Sequence, residues 1–136
     1  MIHDEICTYE VCKLAKEKGF NVPTDRYYHI YDDVIEAQNS LEMTGDGCAD
    51  FYNSLNRCRC AAPTQSLLQR WLREEKAIIV EVFVDDDSNM PLTYNIHQYK
   101  DWNWECVCHH HGNYYAVNDW ELCLEDALKY ALENLV

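Results

Sequence analysis

A chain of 136 residues with 24 Asp and Glu against 11 Lys and Arg carries a net charge of −13, which repels phosphate backbones and anionic lipid heads. Direct nucleic-acid binding and membrane attachment are therefore set aside, and the longest strongly apolar run, Ile78-Ile79-Val80, falls far short of the ~20 residues of a membrane span. A hydrophobic content of 48% is enough for one buried core, so a single domain over residues 1–136 is expected and global disorder is not.

The first periodic segment runs from Asp4 to Lys18, with Cys7, Val11, Leu14 and Ala15 on one helical face. Gly19 supplies the left-handed residue that a helix terminus favours, Phe20 can fold back on the last turn, and Pro23 prevents continuation. Arg26 to Tyr31 is rich in strand formers, Thr44-Gly45-Asp46-Gly47 is turn chemistry, and a short strand is expected between Asn56 and Ala61. Thr64 can cap a helix reaching Glu75, whose apolar stripe is Leu67, Leu68, Trp71 and Leu72.

From Ala77 to Val84 the period changes to two, which marks a largely buried strand. Asp85 to Pro91 reads as a turn and Leu92 to Tyr99 as the returning strand. Trp102 to His109 gives a third strand, His111-Gly112-Asn113 a tight turn, and Tyr114 to Val117 a fourth, together an antiparallel meander. The chain closes on an amphipathic helix with Leu124, Ala127, Leu128, Ala131, Leu132 and Leu135 on one stripe, and with Glu125 and Asp126 in its first turn. These elements predict a two-layer α+β fold, an antiparallel sheet of four to six strands with three helices packed on one face.

Eight cysteines follow an opening Met1-Ile2-His3-Asp4-Glu5 that is polar and acidic, where a secretory leader is basic and then apolar. The chain is therefore expected in the cytoplasm, with most thiols reduced and acting as small core hydrophobes. Cys58-Arg59-Cys60 and Cys106-Val107-Cys108 each place two thiols on one face of a strand, and pairing those strands would gather four sulfurs for tetrahedral zinc. Structural zinc sites space their ligands more widely, so neither metal nor cofactor is assigned. His109-His110-His111 beside Cys108 has the composition of a metal site or a Cys-His nucleophile, but successive strand residues point to opposite faces, and a solvated hairpin tip is expected instead.

Asp85-Asp86-Asp87-Ser88-Asn89 lacks the central Gly and the final Glu of a calcium loop. No nucleophile elbow, zinc-protease helix or dinucleotide fingerprint occurs, so an enzyme is not expected. The feature that remains is aromatic density after residue 90, too great for every ring to be internal. Trp and Tyr combine large contact area with polar tips that find partners, which makes Trp102, Trp104, Tyr114 and Tyr115 the candidate partner-binding residues.

Three segments, Leu14 to Phe20, Ala62 to Glu74 and Leu124 to Leu132, together resemble a family of small uncharacterised proteins encoded by phages and prophages of Bacteroides-type gut bacteria. The most specific piece is Ala62-Pro63-Thr64-Gln65 leading into the Leu67-Leu68-Gln69-Arg70-Trp71-Leu72-Arg73-Glu74 helix. The matching residues are caps, stripes and a stop, so the resemblance implies a shared fold and a mobile-element origin and transfers no catalytic residue.

The expected function is a non-catalytic phage or prophage accessory protein that binds a host or phage protein in the bacterial cytoplasm. Its sharper form is an inhibitor offering carboxylates to the basic groove of a defence protein. The alternatives are a binder of small molecules such as nucleotide signals in an aromatic pocket, and a zinc module on Cys58, Cys60, Cys106 and Cys108. Self-association into a homo-oligomer is compatible with each.

Overall fold

In this computed structural model the described residues are 4–29, 41–43, 53, 59–85, 88–109 and 113–136. They form two compact units, 1–66 and 67–136, each with its own three-stranded antiparallel sheet.

In the first unit residues 4–8 are not helical. Ile6 bridges Thr64, the Cys7 N–H donates to the Pro63 carbonyl (3.0 Å), and the Gln65 N–H donates to the Glu5 carbonyl (2.8 Å). The helix begins only after Thr8, whose extended backbone and Oγ1, accepting from the Val11 N–H, cap α1 (Tyr9–Glu17). Its stop is the one the sequence announces. Gly19 takes φ +93°, its N–H reaches the Lys16 carbonyl, and the Phe20 N–H reaches the Ala15 carbonyl (2.9 Å), the paired bonds of a Schellman terminus with Phe20 buried against it.

The sheet of this unit contains β1 (Arg26–His29), β2 (Leu41–Met43) and β3 (Arg59–Ala61) in the order β2-β1-β3, with α1 packed on β3. Polar side chains tie it together. The Tyr28 hydroxyl donates to the Cys7 carbonyl (2.8 Å), and the Lys16 ammonium donates to the Arg59 carbonyl (2.7 Å). The buried Asn53 amide donates to the Phe20 carbonyl and accepts from the Ala61 N–H. Of the expected features here, Ile30, Tyr31, Thr44 to Gly47 and Cys58 lie outside the described residues.

The second unit takes up α2 (Gln65–Lys76) from its first turn onward, then β4 (Ile78–Val84), β5 (Leu92–Lys100), β6 (Asn103–His109) and α3 (Trp120–Asn134). Ala77 alone joins α2 to β4, at φ 55°. The strand order is β4-β5-β6, and α3 packs on β4 and β5. The face beneath α3 carries Ile78, Val80, Leu92, Tyr94, Ile96 and Cys108, all buried, and α3 buries Cys123, Leu124, Ala127, Leu128, Ala131 and Leu132. A short 3-10 turn, Val117–Asp119, leads into α3, so Glu121 occupies the first helical turn while Glu125 lies a turn later and is buried.

The expected single sheet of four to six strands under three helices is corrected to two sheets of three strands each, with α1 packed on a strand of one and α3 on the other. β1 pairs with β2 and β3, and β5 with β4 and β6, so among the described residues no strand of one sheet is paired with a strand of the other. The expected fourth strand of the meander is also reduced. Tyr115 makes one bridge to Leu92, with bonds of 2.8 and 3.0 Å, before the chain enters the 3-10 turn. Among the described residues no helix is long and apolar enough to cross a membrane.

Candidate functional site: an aromatic hairpin arm

Lys100 pairs with Asn103, so β5 and β6 are joined by a two-residue turn, Asp101-Trp102. Both residues have positive φ, 50° and 68°, the signature of a type I′ turn whose twist matches the flanking strands. That turn favours Asn or Asp at its first position and Gly at its second. Asp101 conforms, whereas Trp102 occupies the glycine position and is 89% exposed. A bulky residue held there costs about 1–3 kcal/mol of backbone strain, a cost characteristic of functional sites.

Behind the turn, Tyr99 and Trp104 are cross-strand partners with ring centroids 5.3 Å apart at 53°. They are 40% and 50% exposed. Every residue from Tyr99 to Cys106 is exposed, so this end of the hairpin stands clear of α3 on both faces and forms an arm. One face of the arm carries Tyr99, Trp104 and Cys106, and the other carries Lys100, Asn103 and Glu105.

The two thiols of β6 do not share a face. Ile96 pairs with Cys108 and His97 with Cys106, leaving Val107 without a partner as a β-bulge. The extra residue resets the alternation, so Cys106 is exposed while Cys108 faces the core. The expectation of two thiols on one face of this strand is therefore corrected. Nor do the two thiol-bearing strands pair: Cys60 lies on β3 beside β1, and Cys106 and Cys108 lie on β6 beside β5. Among the described residues no group of three or more His, Cys, Asp or Glu is gathered as metal ligands would be.

The register brings a histidine to Cys106 that spacing along the chain did not reveal. His97 lies opposite Cys106, with its Nε2 3.8 Å from Glu81 Oε1. The Cys106 thiol donates to the Cys108 carbonyl (3.4 Å). Burial pushes the Cys108 thiol up and favours its protonated form. His110 and His111 lie outside the described residues.

The four expected binding residues fall at opposite ends of β5. Trp102 and Trp104 are at the arm. Tyr114 and Tyr115 lie beside Leu92, about 25 Å away along a nine-residue strand. Tyr114 is exposed and donates to Asp85 Oδ2 (3.1 Å). Tyr115 is buried, and its hydroxyl donates to Asp126 Oδ2 of α3 (2.5 Å). Desolvation and this carboxylate push the Tyr115 phenol well above its ordinary range, and desolvation does the same to Tyr94 beneath α3. Tyr115 is thus a structural tie of the core. Tyr99 belongs to the exposed cluster instead, through a cross-strand pairing that the turn length fixes.

A shallow groove of about 250 Å³ in the first unit is lined by Lys16, Gly19, Phe20, Asn21 and Asn53. It contains one aromatic ring and differs from the aromatic pocket between sheet and helices expected of a nucleotide binder.

The fold and site define a small α+β protein whose most exposed large apolar side chain, Trp102, stands on a strained hairpin tip. No protein-family model, no curated protein and no solved structure matches the chain.

Proposed function

We propose that this chain is a non-catalytic accessory protein of phage or prophage origin. It acts in the bacterial cytoplasm by docking a host or phage protein onto the arm that carries Tyr99, Trp102 and Trp104. The observation that carries this reading is Trp102, 89% exposed at a turn position where glycine would be less strained. Exposed Trp and Tyr supply the anchors that dominate binding energy at protein interfaces. The resemblance of three segments to phage-encoded proteins supports the origin, and the charge of −13 favours a partner with a basic surface, as an inhibitor of a nucleic-acid-binding defence protein would meet.

The test is quantitative capture from a Bacteroides lysate with the immobilised chain, its Trp102→Ala/Trp104→Ala variant and a Tyr114→Ala control. A partner held by the parent and the control and lost by the double variant is expected. A partner retained equally by all three would show that the arm is not the docking surface.

A further inference from the structure

A three-stranded sheet has two outer edges, and the two edges of the second sheet differ. At β4 one side chain of α2 reaches the strand, Gln69 Nε2 donating to the Val80 carbonyl at 3.3 Å. Along β6 from Asn103 to Cys106 every side chain is exposed, and among the described residues no hydrogen bond from another element reaches the outer side. The bonds made there are local: Asn103 Nδ2 to the Asp101 carbonyl (3.5 Å) and the Cys106 thiol to the Cys108 carbonyl (3.4 Å). Covering one edge with a helix is a common way to prevent unwanted strand pairing, and a free edge is a template for it.

Resting on the docking reading above, we propose that β6 accepts an extended segment of a partner protein as a fourth strand over Asn103–Cys106, and that this segment alternates apolar residues with Lys or Arg. In strand addition the main chain supplies affinity and alternate side chains supply specificity. An added strand would set every second side chain beside Trp104 and Cys106, an apolar surface, and the others beside Asn103 and Glu105. The charged side chains from Asp101 to Cys108 are Asp101 and Glu105, both acidic, while Lys100 lies one strand further in, opposite Asn103. Basic residues therefore suit the second row, where opposite charges across strands attract.

The same charges disfavour a second copy of this chain as the occupant. Edge-to-edge pairing of two β6 strands would bring together two chains of −13 and two Glu105 side chains. The bulge at Val107 bounds the site, because it interrupts the regular ladder between Cys106 and Cys108.

The test uses the full chain and short synthetic peptides that alternate Lys with Val or Tyr, with two controls: the same composition with its lysines clustered, and Glu in place of Lys. Binding is followed by tryptophan fluorescence and by hydrogen exchange at the outward amides of Trp104 and Cys106. The alternating Lys peptide is expected to bind and to slow exchange at those amides by about tenfold or more, and Glu105→Lys to weaken it by about fivefold while leaving the circular dichroism spectrum unchanged. A fluorescence change with unaltered exchange would overturn strand addition and leave aromatic docking standing. Slowed exchange that persists undiminished in the Trp102→Ala/Trp104→Ala variant would uphold strand addition and remove the aromatic reading. Protection of the same amides that rises with protein concentration alone would assign the edge to a second copy, and absence of binding at millimolar peptide would also overturn the proposal.

Discussion

Replacing Trp102 with glycine separates the strain of the turn from the side chain it displays. Trp102 sits at φ 68° with 89% of its surface exposed, so it contributes almost nothing to the core. Relief of a left-handed bulky residue is worth about 2 kcal/mol, and the greater freedom of glycine in the unfolded chain returns about 0.5–1 kcal/mol of that. The covered surface that disappears is roughly a tenth of about 200 Å², which at ~25 cal/mol per Å² removes another ~0.5 kcal/mol. Trp102→Gly should therefore be about 0.5–1 kcal/mol more stable than the parent. Trp102→Ala keeps the left-handed strain and loses the same contacts, so it should be no more stable than the parent. Urea denaturation of the three proteins, with equal slopes, reads the difference directly. Equal stability of the Gly and Ala variants would refute the assignment of strain to this turn.

Gly19→Ala should cost about 1–2 kcal/mol through backbone strain alone, since an added Cβ at φ +93° meets nothing within 4 Å; urea denaturation with no loss would mean that the Schellman terminus relaxes freely. Tyr115→Phe leaves Asp126 without its hydroxyl donor and should cost about 1–3 kcal/mol in a thermal or urea melt, whereas an unchanged midpoint would mean that water replaces the bond. Burial pushes the Cys60 and Cys123 thiols up to about 11 and about 12 from 9.0, and the Tyr94 and Tyr115 phenols upward from 10.0. The unfolded chain thus releases these protons first, so the stability they contribute is complete below pH 9 and declines as pH rises from about 9 to about 12; stability that is flat over this window would contradict the burial of these groups. Under native conditions iodoacetamide should modify Cys106 well before Cys7, Cys12, Cys60, Cys108 and Cys123, as peptide mapping can verify, because Cys106 alone of these six is exposed.

Helices were the most legible part of the chain, because a stripe such as Leu124 to Leu132 fixes both period and buried face. The Gly19-Phe20 stop was legible for a related reason: left-handed backbone and a returning apolar residue are properties of those two positions themselves. Periodicity does not fix the start of α1, because Cys7 fits the helical stripe equally well when buried from a non-helical segment, and Thr8 decides between them only through its cap. Strands β4, β5 and β6 were visible in their alternation, but alternation reports which face a residue takes and says nothing about which strand lies beside it. Alternation alone is therefore compatible with one sheet or with two.

The candidate site shows the same division. Crowding requires that some late aromatic rings face outward without saying which, and the burial of Tyr115 goes with its bond to Asp126, eleven residues away along the chain. The turn itself was hidden because Asp101-Trp102 lacks the glycine that marks its class. The bulge was hidden as well, since Val107 is an ordinary strand residue whose extra position appears only when β6 is laid against β5.

That unpaired valine works as an expansion joint. On one side of it, spacing is dictated by the reversal at Asp101-Trp102; on the other, by the seating of Cys108 over Ile96. The two demands are one residue out of phase, and Val107 absorbs the mismatch. The outer half of the hairpin can accordingly vary in sequence or gain residues at its reversal without dragging the inner half out of its seat.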